Sequence, residues 1–117
     1  MPPASLRNVT LVVRDPHASR AFYRSVLDLP DAPDAGPTFV MLQAGPVTVI
    51  LQPAAASSAA PQPGGVELGF EVPDVDAARE ALLAAGGTAG DVQRMGWGEA
   101  LDARDPDGHA LTLYRRR

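Results

Sequence analysis

Cysteine is missing from this chain, which removes disulfides, thiolate metal sites and cysteine nucleophiles from consideration. Histidine is almost as scarce, with only His17 and His109 in 117 residues. Chemistry here must therefore come from oxygen and at most two imidazoles. No apolar run approaches the roughly 20 residues needed to cross a bilayer. The opening Met-Pro-Pro-Ala-Ser lacks the basic start and apolar stretch of a signal peptide, so residence in the cytoplasm is expected. Ser5, Ser19, Ser25, Ser57 and Ser58 fall at the terminus, in a helix or in a linker, with no histidine placed to activate them. The Gly-Gly pairs at 64–65 and 86–87 follow a linker and a helix end. They do not open a helix as a phosphate-cradling loop would.

What is present describes an ordinary globular chain, with 45% hydrophobic and 21% charged residues. Its length suits one domain, 1–117, with one core. Net charge is −4, and Arg115-Arg116-Arg117 at the end leave the rest of the chain more acidic still. That balance disfavours nucleic acid as a partner and favours a cationic ligand.

The chain repeats itself at an offset of 59 positions: Val13/Val72, Asp15/Asp74, Ala18/Ala77 and Arg20/Arg79 coincide. In each copy a β-rich run leads into an aspartate placed to cap a helix, and Pro16 suits the first helical position. The first copy reads as a strand at 9–13 and a helix carrying Ala18, Phe22 and Val26 on one side. Two β-like runs, 38–42 and 47–52, follow as a hairpin. Small residues and prolines over 53–65 predict a linker. The second copy predicts a strand over 66–72 and a helix from about 75 to 85, ended by Gly86-Gly87. Two strands, about 99–103 and 109–114, are joined by the turn Asp105-Pro106-Asp107-Gly108. The order β-α-β-β, with room for one further strand, stated twice, is an α+β fold.

This order resembles the vicinal oxygen chelate superfamily, which includes glyoxalase I, extradiol dioxygenases, fosfomycin-resistance enzymes and bleomycin-resistance proteins. The resemblance rests on Phe22-Tyr23-x-x-Val26-Leu27, on the repeat and on the Asp-Pro-Asp-Gly turn, and it spans nearly the whole chain. It implies two βαβββ modules, about 6–52 and 66–114, whose curled sheets form a cleft, and a homodimer.

In metal-dependent members of that superfamily, His, Glu or Gln ligands project from the first and last strands of each module. The matching positions are Asn8, Ile50 (or Gln52 in a register slipped by two), Glu67 and Thr112. They offer one carboxylate, one amide and one hydroxyl, a poor set for a divalent cation. No metal and no cofactor are expected, and the closest branch by this logic is the metal-independent, bleomycin-resistance-like one. Strand alternation extends the predicted lining to Thr10, Thr48, Glu71 and Tyr114. Phe39 on the hairpin and Trp97 in a glycine-flanked segment add aromatic surface for a planar group. The predicted function is to bind a small molecule, planar or cationic, and so sequester an antibiotic or toxic metabolite. The alternative is a glyoxalase- or dioxygenase-like enzyme with Glu67 as base or metal ligand. No other catalytic residue is expected. His17 and His109 are expected at the surface.

Overall fold

Two strand-helix-strand arrays follow one another along the chain in a computed structural model that describes residues 2–33, 40–57 and 62–117. The first comprises β1 (Asn8–Val12), α1 (Pro16–Leu27), β2 (Val40–Ala44) and β3 (Val47–Gln52). The second comprises β4 (Glu67–Glu71), α2 (Val75–Ala84), β5 (Thr88–Ala89), β6 (Gln93–Met95), β7 (Gly98–Arg104) and β8 (Ala110–Arg116). The chain divides into two compact units, Met1–Arg20 with Leu29–Pro61 and Ala21–Asp28 with Gln62–Arg117. The second half of α1 thus belongs with the second unit.

In the first unit the strand order is β1-β3-β2. β1 runs parallel to β3, with Asn8 opposite Thr48 and Thr10 opposite Ile50, and β2 is antiparallel to β3. Asp15 caps α1, its Oδ1 accepting the N–H groups of His17 and Ala18 at 3.0 and 3.3 Å. This satisfies donors that have no partner inside the helix. Leu11, Val49, Leu51, Val40 and Leu42 alternate onto one buried face.

In the second unit the order is β4-β8-β7-β5, with β6 also paired to β7. β4 runs parallel to β8, setting Glu67 opposite Ala110, Gly69 opposite Thr112 and Glu71 opposite Tyr114. Asp74 caps α2 by accepting the Ala77 N–H at 3.0 Å. Val75, Ala78 and Leu82 form the helix's buried stripe, and Leu101, Leu111 and Leu113 fill the facing side of the sheet. Burying each of these leucines contributes about 1.5–3 kcal/mol. Gly86 ends α2 at φ +94°, and a Cβ at Gly87 would stand 2.7 Å from the Arg104 carbonyl oxygen. That approach requires glycine where the chain leaves the helix for β5.

Three features depart from the expected pattern. The linker holds a 3-10 turn at Ala54–Ala56. β5 and β6, of two and three residues, are too short for alternation to register. They form because β7, with seven residues, offers an edge that each extends in part. On α1 the buried stripe is Ser19, Phe22, Tyr23 and Val26, while Ala18 is exposed. Two polar residues occupy places where only apolar ones would have been counted.

Candidate functional site

In the second unit, side chains that alternate away from the leucine core define an open face: Glu67 and Glu71 on β4, Ala110, Thr112 and Tyr114 on β8, and Ala100, Asp102 and Arg104 on β7. A groove of about 380 Å³ lies there, lined among others by Glu67, Thr88, Asp102, Arg104 and Ala110. A smaller hollow of about 240 Å³ shares Gly90 and Asp102 with it and continues to Met95. The larger volume falls within the range of small-molecule sites.

Glu67 and Asp102 are both exposed, and among the described residues neither carboxylate has a hydrogen-bond or ion-pair partner. Arg104 is partly engaged, its Nη1 donating to the Gly108 carbonyl at 2.7 Å. Glu71 differs from Glu67: Arg116 grips both of its oxygens at 2.9 and 3.0 Å. That hydrogen-bonded guanidinium holds the Glu71 carboxyl below its usual range. Of the two acids predicted on β4, only Glu67 is unpaired.

At the far end of the same face Trp97 is 49% exposed, its ring 6.3 Å from that of Tyr114 at 67°. Tyr114 leans over Gly69, where a Cβ would lie 3.7 Å from Cε1. Trp97 is therefore a surface aromatic beside the β4–β8 pair and no part of the core.

In the first unit the corresponding face carries Asn8, Thr10, Thr48 and Ile50, with Met41 and Gln43 opposite the last two. Asn8 is exposed and the others are half-buried. Thr48 Oγ1 lies 3.4 Å from Gln43 Oε1. Each of these side chains is uncharged. Phe39 lies outside the described residues. His17 is exposed, and His109 is half-buried with its backbone N–H on Asp105.

Of the four places that the resemblance assigns to metal ligands, Ile50 has no donor atom and Thr112 has only a hydroxyl, whose oxygen is buried. Among the described residues no three His, Cys, Asp or Glu side chains gather. The side chains present do not make up the imidazole and carboxylate set that a divalent cation requires.

Reading the sequence missed Asp102 and Arg104 in the groove wall. The signal lay in the hairpin: once the Asp105–Gly108 turn fixes the register, Asp102 falls opposite Thr112. A second omission is the pair that holds this hairpin in place. Asp105 is 3% exposed and Tyr23 fully buried, and the Tyr23 hydroxyl donates to Asp105 Oδ2 at 2.7 Å. Oδ1 accepts the N–H groups of Asp107 and His109 at 3.0 and 2.9 Å. Burial, reinforced by the neighbouring Asp105 carboxylate, raises the Tyr23 phenol far above its ordinary range.

No helix among the described residues is long and apolar enough to cross a membrane. A search of curated proteins gives no match. Solved structures similar to the chain include a glyoxalase-related enzyme from Fulvimarina pelagi, 21% identical with a TM-score of 0.82 over 96% of this chain and 88% of that one. A glyoxalase/bleomycin resistance protein/dioxygenase family enzyme from Burkholderia phytofirmans PsJN is 21% identical, with a TM-score of 0.81 over 97% and 100%. A lactoylglutathione lyase from Agrobacterium tumefaciens is 22% identical, with a TM-score of 0.70 over 97% and 95%. At these identities the likeness establishes the fold. The glyoxalase-like domain family model matches residues 8–114, and with that match the chain belongs to the glyoxalase-like domain family.

Proposed function

We propose that this protein binds a small cationic molecule without a metal and works by sequestration. The observation that carries this reading is the groove of the second unit, where the Glu67 and Asp102 carboxylates stand unpaired among small residues. A cation entering it meets two carboxylates that form no ion pair among the described residues, against one guanidinium, that of Arg104, on the same wall. Trp97 and Tyr114 at the other end of the face suit a planar moiety, because stacking buries large area at small entropic cost. The face of Asn8, Thr10, Thr48 and Ile50 in the first unit is neutral and has no part in recognising the charge.

Exposure of Glu67 supports binding over turnover. A carboxylate that abstracts protons without a metal works in a place closed to water; Glu67 is open to solvent. Antibiotics and toxic metabolites that are planar and positively charged are the ligands this site suits. Assembly as a homodimer in the cytoplasm is part of the same proposal, and sedimentation equilibrium checks the oligomeric state.

Thermal unfolding of chelator-treated protein tests the reading, because a ligand that binds only the native state raises the midpoint. The midpoint is expected to rise with planar cationic antibiotics and to stay unchanged with Mg²⁺, Mn²⁺, Ni²⁺ or Zn²⁺. A rise with metal alone overturns it and favours the enzyme.

A further inference from the structure

Glu67, Ala110, Arg104 and Thr88 form one row across the second sheet, each paired directly with the next. Directly paired residues share a face, so the four stand together on the open one. Neighbouring strands lie about 4.8 Å apart, which sets the backbones bearing the Glu67 carboxylate and the Arg104 guanidinium about 10 Å apart, with only the Ala110 methyl between them. Asp102, two residues before Arg104 on β7, stands on the same face about 7 Å along the strand. All five residues line the groove of about 380 Å³. Long side chains at this spacing are within reach of one another, yet among the described residues Arg104 pairs with neither acid. Its one bond goes to the turn that follows, Nη1 donating to the Gly108 carbonyl at 2.7 Å. That bond ties the guanidinium to the hairpin turn and leaves its Nε–Nη2 edge without a partner among the described residues. Charges of both signs thus border one groove, and neither sign is used.

We infer that the ligand is a zwitterion, with an ammonium and a carboxylate on one small molecule as in a free amino acid, and that Arg104 is the residue that selects it. This rests on the groove reading given above. A purely cationic ligand meets Glu67 and Asp102 favourably but stands against the Arg104 guanidinium within the same walls. A zwitterion satisfies all three groups. Its ammonium has donors only and suits the two carboxylates, and its carboxylate has acceptors only and suits the open guanidinium edge. A planar guanidinium takes a carboxylate through two parallel N–H···O bonds, which fixes the orientation of the ligand as well as its charge. The single negative charge of a carboxylate also suits walls that are acidic on balance, where the larger charge of a phosphate monoester would be opposed by Glu67 and Asp102.

The test is calorimetric titration of chelator-treated protein with three probes that share one phenyl ring: phenylalanine, phenethylamine, which lacks the carboxylate, and 3-phenylpropionate, which lacks the ammonium. The ring is held constant because Trp97 and Tyr114 continue the same face. Phenylalanine is expected to bind about two- to fivefold more tightly than phenethylamine, as for one exposed charge pair, and 3-phenylpropionate to bind most weakly. Arg104→Gln should remove the preference for phenylalanine over phenethylamine, and Arg104→Lys should keep part of it. Asp102→Asn should weaken both amines about two- to fivefold. If loss of the Gly108 bond keeps Arg104→Gln from folding, the ranking of the three probes on the unaltered protein decides alone. Phenethylamine binding as tightly as phenylalanine overturns the zwitterion and leaves the cation site standing. An Arg104→Gln protein that binds both amines more tightly by the same factor does so too. If none of the three probes binds while planar cationic antibiotics still raise the unfolding midpoint, the zwitterion class again fails alone. If neither the probes nor those antibiotics bind, or if neither Glu67→Gln nor Asp102→Asn changes any affinity, the groove reading fails as well.

Discussion

On the open face of the first sheet stand Asn8, Thr10, Thr48 and Ile50; the same places on the second sheet hold Glu67, Gly69, Ala110 and Thr112. The strand pairing around these places recurs. In each unit a strand pairs in parallel with the last strand of its hairpin, and an aspartate three residues beyond it caps a helix. The capping and the buried alternation are what the frame needs, and they recur. Open-face residues are free of that demand, and there the units diverge, one neutral and the other acidic. On the proposed reading charge recognition falls to the second unit, which also carries the buried Tyr23–Asp105 pair.

The largest effects should come from what the units share. Leu42→Ala in the first unit and Leu113→Ala in the second each empty a fully buried site and should cost about 2–5 kcal/mol in denaturant unfolding. A loss below about 1 kcal/mol at either position would deny that unit the core described here. Next in size is Tyr23→Phe, expected to cost about 1–3 kcal/mol by leaving one oxygen of a buried carboxylate without its donor. The pair also has a pH signature. Because folding raises the Tyr23 phenol, the folded state keeps a proton that the unfolded chain loses near pH 10. Stability from this source is complete below about pH 10 and declines as pH rises further. Thermal unfolding between pH 9 and 11 should show a steeper fall in the unaltered protein than in Tyr23→Phe.

Smaller effects separate the two faces. Glu67→Gln should weaken binding of a planar cation about two- to fivefold, as for an exposed charge pair, and Thr48→Val should leave it unchanged. Equal losses from both variants would erase the contrast between the units. The smallest effect belongs to Glu71→Gln, since the Glu71–Arg116 pair is exposed and screened by salt. Its contribution is present above the ordinary glutamate range and is lost as pH falls through the lowered folded value. Melting at low and high salt should differ slightly less in the variant than in the unaltered protein; the other exposed pairs, such as Arg20–Asp31, are common to both.

Much of this frame was legible from residue order. Asp15 and Asp74 announce helix starts, Gly86-Gly87 a helix end and Asp105–Gly108 a turn, because each does a local job that needs few neighbours. β5 and β6 were illegible because they exist only against the edge of β7. Tyr23 and Ser19 escaped a count of apolar residues because polar atoms can be buried when tertiary structure requires it. The face of β4 was readable by alternation, but Glu71's capture by Arg116 depends on pairing across 45 residues. Asp102 was missed for a nearer reason, since its place follows from the hairpin register that the Asp105–Gly108 turn sets.

The most direct test of the claim that the second unit reads charge without a metal is amide chemical-shift mapping by NMR on chelator-treated protein titrated with a planar cation such as acriflavine. Shifts centred on Glu67, Asp102 and Ala110, with Asn8, Thr48 and Ile50 little changed, are the predicted result. Shifts that arise only after a divalent metal is added, or that centre on Asn8, Thr48 and Ile50, would contradict it.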